Sequence, residues 1–348
     1  MKNKFLEWGK TYIIAEMSAN HGGDFQAARD ILYAAKEAGA DAIKLQTYTP
    51  DTMTIDSDGK CFQINSGLWE GENLYNLYKK AQTPWDWQGK LKEEALSLGL
   101  DFLSTPFDES AVDFLESIGV DMYKVASLEL TDLPLVEYIA RLQKPMIIST
   151  GMGTLEEIEE AVDTVRQQGN DQICLLKCTS AYPSPLTDMN LKTIPDLSRR
   201  FQVEVGLSDH SLGAVAPMVA VSLGARVIEK HFCLDRNIPT PDAAFSLEPH
   251  EFAHMVRSIR DVEAALGSVT YESKESEKVS LSHRRSIFVV RKIEQGEVFT
   301  RENLRIIRPA DGLAPKHLKE VLGHNATEAI EPGTPLSWSH LEHEERVK

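Results

Sequence analysis

Two histidines occupy equivalent positions in the segment 205–232, where each follows a short apolar run. His210 closes the sequence GLSDH, and His231 closes the sequence VIEKH. Two imidazoles that reach one site can bind a divalent cation such as Mn²⁺, Fe²⁺, Co²⁺ or Zn²⁺ and leave coordination positions open for a substrate. Asp242, in the following segment IPTPDAAF, could complete such a site directly or through water. The alternative is that each histidine only forms hydrogen bonds within its own loop.

Two lysines lie inside apolar runs, Lys44 in AIKLQTY and Lys124 in MYKVAS. A buried cation is costly unless an anion accompanies it. That anion is either an internal carboxylate, such as Glu16 or Glu229, or a phosphate or carboxylate group of a substrate. Short hydroxyl donors that suit phosphate oxygens lie at the ends of four apolar runs: Ser127, Ser149, Ser180 and Ser208. Together with the lysines, these serines favour an anion-binding site.

Eight apolar runs alternate with helical patterns in the first three quarters of the chain. The runs span 12–18, 42–48, 101–106, 122–127, 145–150, 173–179, 203–209 and 226–232. Near-continuous apolar runs are typical of strands that are buried on both faces of a parallel sheet. Eight β–α units within about 250 residues predict a (β/α)8 TIM barrel, whereas a doubly wound open sheet seldom has so many regular units.

Polar residues follow these runs at their C-terminal ends, which is where a TIM barrel carries its reactive groups. The seventh and eighth strands are neighbours in a barrel, so His210 and His231 are expected to face the same mouth. His21 is a third candidate ligand, although a structural or substrate-holding role fits it equally well. Other polar residues at these strand ends are Gln46, Thr105, Thr150, Lys177, Thr179, Tyr182, Asp209 and Lys230.

The composition and the hydrophobic pattern of the chain change after residue 267. Residues 268–284 are polar and charged, which is typical of a linker. Residues 285–348 show β-type alternation with turn signals at EQGE and EPGT, and they predict a separate, small, mainly β domain. The expected organisation is therefore a catalytic barrel over 1–267, a linker over 268–284 and a small domain over 285–348.

The composition excludes several classes of partner. The net charge of −16 provides no basic field for nucleic acid or an anionic membrane, and no apolar run approaches the ~18 residues of a membrane span. The N-terminal sequence MKNKFLEWGKTY lacks the apolar core of a signal peptide. The four cysteines show no zinc-binding or redox spacing, so we expect reduced thiols in a cytoplasmic protein.

The order of the motifs resembles the sialic acid synthase family. These motifs are IAEMSANHGG, KLQTY, STPFD, YKVASLE, IISTGMGTLEEIEEA, LLKCTSAYPSP, GLSDH, IEKHF and SLEP. The C-terminal segment VVRKIEQGEVFTRENLRIIRPADGL resembles the antifreeze-like (SAF) domain that these enzymes carry. The resemblance implies a transferase that condenses phosphoenolpyruvate with an acetamido-sugar aldehyde, giving a nine-carbon 2-keto acid and free phosphate.

The same resemblance implies roles for individual residues. His210 and His231 would hold the metal, which is expected to be Mn²⁺ or Mg²⁺, or else Co²⁺. Arg308 would reach the sugar from the C-terminal domain of the partner in a domain-swapped homodimer. Phosphoenolpyruvate would be bound by Lys44, Lys124, Ser127 and Ser208. Further pocket positions are Thr105, Ser149 and Tyr182, and positions near the sugar and the reacting water are Glu16, Gln46 and Asp242.

Two departures indicate a branch of this family. The sequence CTSAYP places Ser180 where N-acetylneuraminate synthases have asparagine, and the long segment after the second strand reads SGLWEGENLYNLYKKAQTPWDW. Both features resemble the branch that makes pseudaminic acid from 2,4-diacetamido-2,4,6-trideoxy-L-altrose. The aromatic residues of the segment 49–83 would then form a lid or a specificity element, or else a small satellite core.

Three alternatives remain at this point. The first is synthesis of N-acetylneuraminic or legionaminic acid from another acetamido-sugar. The second is a barrel aldolase that uses Lys44 or Lys124 to form a Schiff base. The third is a non-catalytic sugar-binding protein, against which the intact set of strand-end residues argues.

Overall fold

The computed structural model describes residues 9–342, and the chain divides into two compact units between Gly267 and Ser268. The first unit holds a closed barrel of eight parallel strands, and the second holds a small antiparallel sheet. Each unit is described by itself below. Within residues 9–342 no helix is both long and apolar enough to cross a membrane.

The barrel strands occur in chain order around the ring, and β1 pairs with both β2 and β8, which closes the sheet. The strands are β1 (Tyr12–Glu16), β2 (Ala42–Thr47), β3 (Asp101–Pro106), β4 (Tyr123–Val125), β5 (Met146–Ser149), β6 (Ile173–Cys178), β7 (Glu204–Asp209) and β8 (Val227–His231). Every strand lies within one of the eight apolar runs. The predicted TIM barrel is therefore confirmed, and the open doubly wound sheet is excluded.

Helices connect the strands and cover the outside of the barrel. They are α1 (Phe25–Glu37), α2 (Pro50–Met53), α3 (Leu74–Ala81), α4 (Trp85–Ser97), α5 (Glu109–Ser117), α6 (Leu133–Ala140), α7 (Leu155–Gln167), α8 (Thr193–Phe201), α9 (Val215–Ser222) and α10 (Pro249–Leu266). The sequence also explains where some helices begin: Thr154 and Glu157 form a reciprocal capping box at the start of α7. Two of the helices, α2 and α3, lie inside the long segment 49–83.

The barrel has two apolar layers because successive strand residues point to opposite faces. Outward-facing residues such as Ile13 and Ile43 pack against the helices in the main core. Inward-facing residues fill the barrel interior, and this inner cluster consists of Tyr12, Ile14, Ala42, Leu103, Met122, Ile147, Cys174, Leu176 and Val227. The polar residues at the C-terminal ends of the strands lie directly above this inner apolar layer.

The second unit is built around β9 (Ser286–Val289) and β10 (Leu304–Ile307), which pair antiparallel. Two short helices belong to it, α11 (Lys278–Leu281) and α12 (Leu318–Val321). Its core includes Ile287, Phe299 and Leu336. The separate, small, mainly β domain predicted from the sequence is confirmed, and the segment predicted as a linker contains α11.

Candidate active site

The site residues continue the inward-facing positions of the barrel strands. Two residues after Ile14 comes Glu16, two after Met122 comes Lys124, and two after Ile147 comes Ser149. Since side-chain direction repeats every second residue, each of these polar groups points into the barrel mouth. They line a cavity of about 230 Å³ at the C-terminal end of the barrel. The site is therefore the top layer of the barrel interior, with polar side chains in place of apolar ones.

Twelve of the fourteen residues predicted for the site line this cavity. They are Glu16, Lys44, Gln46, Thr105, Lys124, Ser127, Ser149, Tyr182, Ser208, His210, His231 and Asp242. Ser180 lies just outside the lining, with its hydroxyl 3.8 Å from the Cys178 sulfur. Arg308 is an exposed residue of the second unit, directly after β10.

One buried ammonium is shared by two buried carboxylates. Lys44 Nζ lies 2.8 Å from Glu16 Oε2 and 3.7 Å from Glu229 Oε1, and it also donates to Thr105 Oγ1 at 3.2 Å. Burial raises the pKa of Glu16 to about 7, because Lys44 offsets only part of that effect and Glu229 adds repulsion. Burial alone would lower the pKa of Lys44, but Glu16 and Glu229 outweigh it, and the pKa is raised. Lys44 therefore stays charged, while Glu16 can hold or release a proton near neutrality.

A chain of hydrogen bonds connects Glu16 with Asp242 across the mouth. Gln46 Nε2 donates to Glu16 Oε1 at 3.2 Å and to Ser18 Oγ at 3.0 Å. Ser18 in turn donates to Asp242 Oδ2. Burial raises the pKa of Asp242, although the Ser18 hydrogen bond opposes the shift. Two carboxyl groups, linked through an amide and a hydroxyl, thus face the cavity with their pKa values raised.

The second buried lysine has no carboxylate partner among residues 9–342. Lys124 Nζ donates to Ser149 Oγ and to Val125 O, each at 2.7 Å, and burial lowers its pKa. Ser127 Oγ accepts the Gly151 N–H at 3.0 Å, and Ser208 Oγ donates to Glu229 Oε1 at 3.2 Å. A cation beside hydroxyl groups suits an incoming phosphate or carboxylate.

The two histidines lie side by side, with ring centroids 5.3 Å apart. His210 Nδ1 lies 3.1 Å from the carbonyl oxygen of Thr179, so Nε2 is the nitrogen of this ring that is available to a ligand. His231 Nδ1 is buried and has no hydrogen-bond partner within residues 9–342. An orphaned imidazole nitrogen beside a second imidazole fits a metal, although no group of three His, Cys, Asp or Glu converges in the described chain. Water or substrate oxygens would supply the remaining ligands.

Aromatic rings enclose the histidines. The ring centroids of Tyr182 and His210 are 4.4 Å apart, and those of Phe245 and His231 are 4.8 Å apart. Trp69, from the segment 49–83, donates to the Pro241 carbonyl at 2.9 Å and lines the cavity. This tryptophan therefore belongs to the site wall. Trp87, in contrast, packs against His21 and Phe25 away from the cavity.

Two polar groups at the strand ends serve the fold instead. His21 Nε2 lies 3.1 Å from Thr83 Oγ1 and His21 Nδ1 accepts the Gly23 N–H, so both nitrogens are engaged. Burial lowers the pKa of His21 to about 4, which keeps the ring neutral. Lys230 is completely buried and pairs with Asp209 at 2.6 Å. Neither residue lines the cavity, so the structure separates them from the candidate ligands.

Several cavity residues were not among the predicted ones. They include Ser18, Tyr48, Cys178, Glu129, Phe245 and the side chains from α3. Cys178 could have been predicted, because it lies two residues beyond the inward-facing Leu176 on β6. Glu129 belongs to the motif YKVASLE, but the sequence assigned no role to it. The sequence pointed to the segment 49–83 as a lid or specificity element, but not to α3 within it, because the approach of α3 to the mouth depends on how this segment folds back.

A closed (β/α)8 barrel whose mouth carries buried lysines, carboxylates and paired imidazoles defines an enzyme of the TIM-barrel class. The chain belongs to the NeuB family, which matches residues 31–271, and a SAF domain matches residues 284–342.

Individual relatives cover nearly the whole chain. A pseudaminic acid synthase from Campylobacter jejuni is 46% identical, over 95% of this chain and 96% of the relative. An N,N'-diacetyllegionaminic acid synthase from Legionella pneumophila is 41% identical, over 95% of this chain and 94% of the relative. The solved N-acetylneuraminic acid synthetase of Leptospira borgpetersenii has a TM-score of 0.70 and 33% identity, over 78% of this chain and 90% of that one.

Proposed function

We propose that this chain is a pseudaminic acid synthase. The reaction joins phosphoenolpyruvate to 2,4-diacetamido-2,4,6-trideoxy-L-altrose, consumes water, and releases pseudaminic acid and phosphate. The observation that carries the proposal is the 46% identity to a pseudaminic acid synthase over 95% of this chain. The chemistry of the cavity supports it, because Lys124 with its neighbouring hydroxyl groups suits an anionic substrate, and the carboxyl groups of Glu16 and Asp242 suit proton transfer.

Phosphoenolpyruvate is proposed to bind at the corner formed by Lys124, Ser127, Ser149 and Ser208. Lys124 is a buried cation for which residues 9–342 provide no carboxylate partner, so an anionic substrate would compensate a charge that burial otherwise penalises. Lys44 and Thr105 adjoin this corner, 3.2 Å from each other. The serine hydroxyls orient the phosphate and carboxylate oxygens, which exposes the methylene carbon to the sugar.

The sugar aldehyde is proposed to lie between the anion corner and the histidines. His210 and His231 would hold a divalent cation such as Mn²⁺, Mg²⁺ or Co²⁺, which would supply Lewis-acid polarisation of the aldehyde oxygen. Tyr182 and Phe245 restrict access of bulk water to this part of the cavity. The protein thereby orients the aldehyde carbon towards the methylene carbon that attacks it.

Glu16 and Asp242 are proposed to handle the protons. Carbon–carbon bond formation creates an alkoxide, and addition of water to the former enol carbon releases a proton. A carboxyl group with a pKa near 7, as burial gives Glu16, exchanges protons efficiently at neutral pH. The bridge through Gln46 and Ser18 holds both carboxyl groups in fixed orientations.

Arg308 is proposed to act in the partner's site within a homodimer, where its guanidinium would bind the sugar. Its exposure directly after β10 leaves it available for such a contact. The proposed compartment is the cytoplasm, because all four cysteines are free thiols and such thiols persist in reducing surroundings.

The test is phosphate release from phosphoenolpyruvate in the presence of Mn²⁺, with three sugars compared in parallel. We expect turnover with the L-altrose derivative and little with N-acetylmannosamine. Preferred turnover of 2,4-diacetamido-2,4,6-trideoxy-D-mannose would instead favour legionaminic acid synthesis, the second candidate, which the 41% identity to such a synthase supports. Borohydride trapping of a lysine adduct with a keto acid would point to a Schiff-base aldolase.

A further inference from the structure

One wall of the cavity carries no reacting group. It is formed by α3 together with Phe107 and Leu128, and we call it the apolar wall. Leu77, Tyr78 and Ala81 of α3 line the cavity, and none of the residues of α3 is fully buried. Because a helix in a soluble domain normally buries its apolar face, this face is available to a ligand. Leu128 leaves 68% of its surface exposed at the same place.

The apolar wall is held in place by aromatic contacts. The Tyr78 ring meets the Tyr48 ring at 5.7 Å, and Tyr48 in turn meets Phe107 at 5.3 Å, both edge to face. Tyr48 is only 2% exposed and directly follows β2, so it ties α3 to the barrel. Asn73 caps the first turn by accepting the N–H groups of Tyr75 and Asn76. The wall is therefore a built surface of the cavity.

Next to the apolar wall, the cavity is lined by Glu129, a carboxylate with an unsatisfied oxygen. Glu129 Oε2 is buried and has no hydrogen-bond partner within residues 9–342. Burial raises the pKa of Glu129 to about 7, although Lys124 opposes the shift. Glu129 directly follows Leu128 of the apolar wall and lines the same cavity as Tyr78. Burial and the nearby charge of Glu129 also raise the pKa of the Tyr78 phenol. A buried acceptor without a partner is unfavourable until a donor reaches it.

We propose that Glu129 and the apolar wall form the subsite for the acetamido group that is farther from the reacting carbon of the sugar. An acetamido group presents an N–H donor beside a methyl group, which is the combination that an orphaned acceptor on an apolar surface recognises. Glu129 accepts this N–H, while Leu77 and Tyr78 pack against the acetyl methyl. The inference rests on the proposed function, since it concerns a sugar with two acetamido groups.

The experiment compares two sugars that differ at one position. The first is the 2,4-diacetamido-2,4,6-trideoxyhexose that the wild-type enzyme turns over, and the second carries a hydroxyl in place of the 4-acetamido group. The measured quantity is the ratio of kcat/KM for the two sugars. Glu129→Leu removes the acceptor, and Leu77→Ala removes part of the apolar wall. We expect each variant to lower the ratio about tenfold, with Glu129→Gln intermediate because its amide oxygen still accepts a hydrogen bond.

Matched controls come from exposed helix positions. Glu160→Leu on α7 and Leu96→Ala on α4 repeat the same chemical changes outside the cavity, and both should keep the wild-type ratio. An equal loss of activity with both sugars in Glu129→Leu would assign Glu129 to phosphoenolpyruvate and overturn the subsite. An unchanged ratio in both cavity variants would also overturn it, while the proposed function would stand. Wild-type enzyme that accepts only N-acetylmannosamine would overturn the subsite and the proposed function together.

Discussion

Gly151 follows β5 and offers a sharp test of the anion corner. A methyl group at this position would lie 2.3 Å from Ser180 Oγ and 2.7 Å from Ser127 Oγ, whereas ordinary contacts begin at 3.4 Å. The two hydroxyls would therefore have to retreat by about 1.1 Å and 0.7 Å. Gly151 does not have a positive φ, so alanine is compatible with its backbone and the perturbation acts through the serines.

A displacement of about 1 Å at a binding group costs up to roughly a hundredfold in rate or affinity. Each lost hydrogen bond to a charged group costs about 1.5–3 kcal/mol, which corresponds to about a ten- to hundredfold effect. We therefore expect Gly151→Ala to raise the KM for phosphoenolpyruvate about ten- to hundredfold, with a smaller effect on the KM for the sugar. The assay is steady-state phosphate release with each substrate varied in turn.

Gly89→Ala is the matched control. Gly89 lies within α4, and the nearest atom to an added methyl group is Ile118 Cγ2 at 3.8 Å, an ordinary contact. This variant should keep both KM values and gain about 1 kcal/mol of stability, because alanine favours the helix. Adding Ser180→Ala to Gly151→Ala should restore activity only in part, since the contact with Ser127 remains. A wild-type KM for phosphoenolpyruvate in folded Gly151→Ala would refute the assignment of Ser127 to the anion corner.

Three further predictions concern the metal, the second unit and the barrel. His210→Ala and His231→Ala should each lower kcat at least about a thousandfold with an unchanged thermal unfolding midpoint, and EDTA should abolish wild-type turnover until Mn²⁺ is restored; EDTA-resistant activity would contradict the metal role. Arg308→Ala should raise the KM for the sugar more than the KM for phosphoenolpyruvate, and a sugar KM equal to that of wild type would count against a role in sugar binding. Asp209→Asn should lower the free energy of unfolding by about 3–5 kcal/mol in denaturant titrations, because it leaves the Lys230 ammonium buried without a counter-ion. Lys230 Nζ also donates to the carbonyl oxygen of Ser211, and a loss below about 1 kcal/mol would show that this hydrogen bond is sufficient for the ammonium.

Much of the site was predictable because strand geometry is periodic. Each apolar run marks a strand, and a residue two positions beyond an inward-facing apolar residue also faces inward. Glu16, Lys124 and Ser149 follow from that rule without any knowledge of tertiary contacts.

Residue types alone could not assign partners. The sequence left open whether Lys44 and Lys124 each pair with an internal carboxylate or with a substrate anion, and the two lysines differ in the structure. Lys44 pairs with Glu16, whereas Lys124 meets only a hydroxyl and a carbonyl group within residues 9–342. The difference arises from barrel pairing, which sets Glu16 beside Lys44 on adjacent strands.

The order of apolar and polar residues was thus sufficient for the eight strands, the closed barrel, the separate C-terminal domain and most of the polar groups at the mouth. These features depend on local periodicity, which each short segment carries within itself. The roles of His21, Glu129 and α3 depended on contacts between residues far apart in the chain. Such contacts depend on how the long connections fold back onto the barrel. They decide that Glu16 is buried beside Lys44, whereas Glu129 is buried with one oxygen that has no hydrogen-bond partner within residues 9–342.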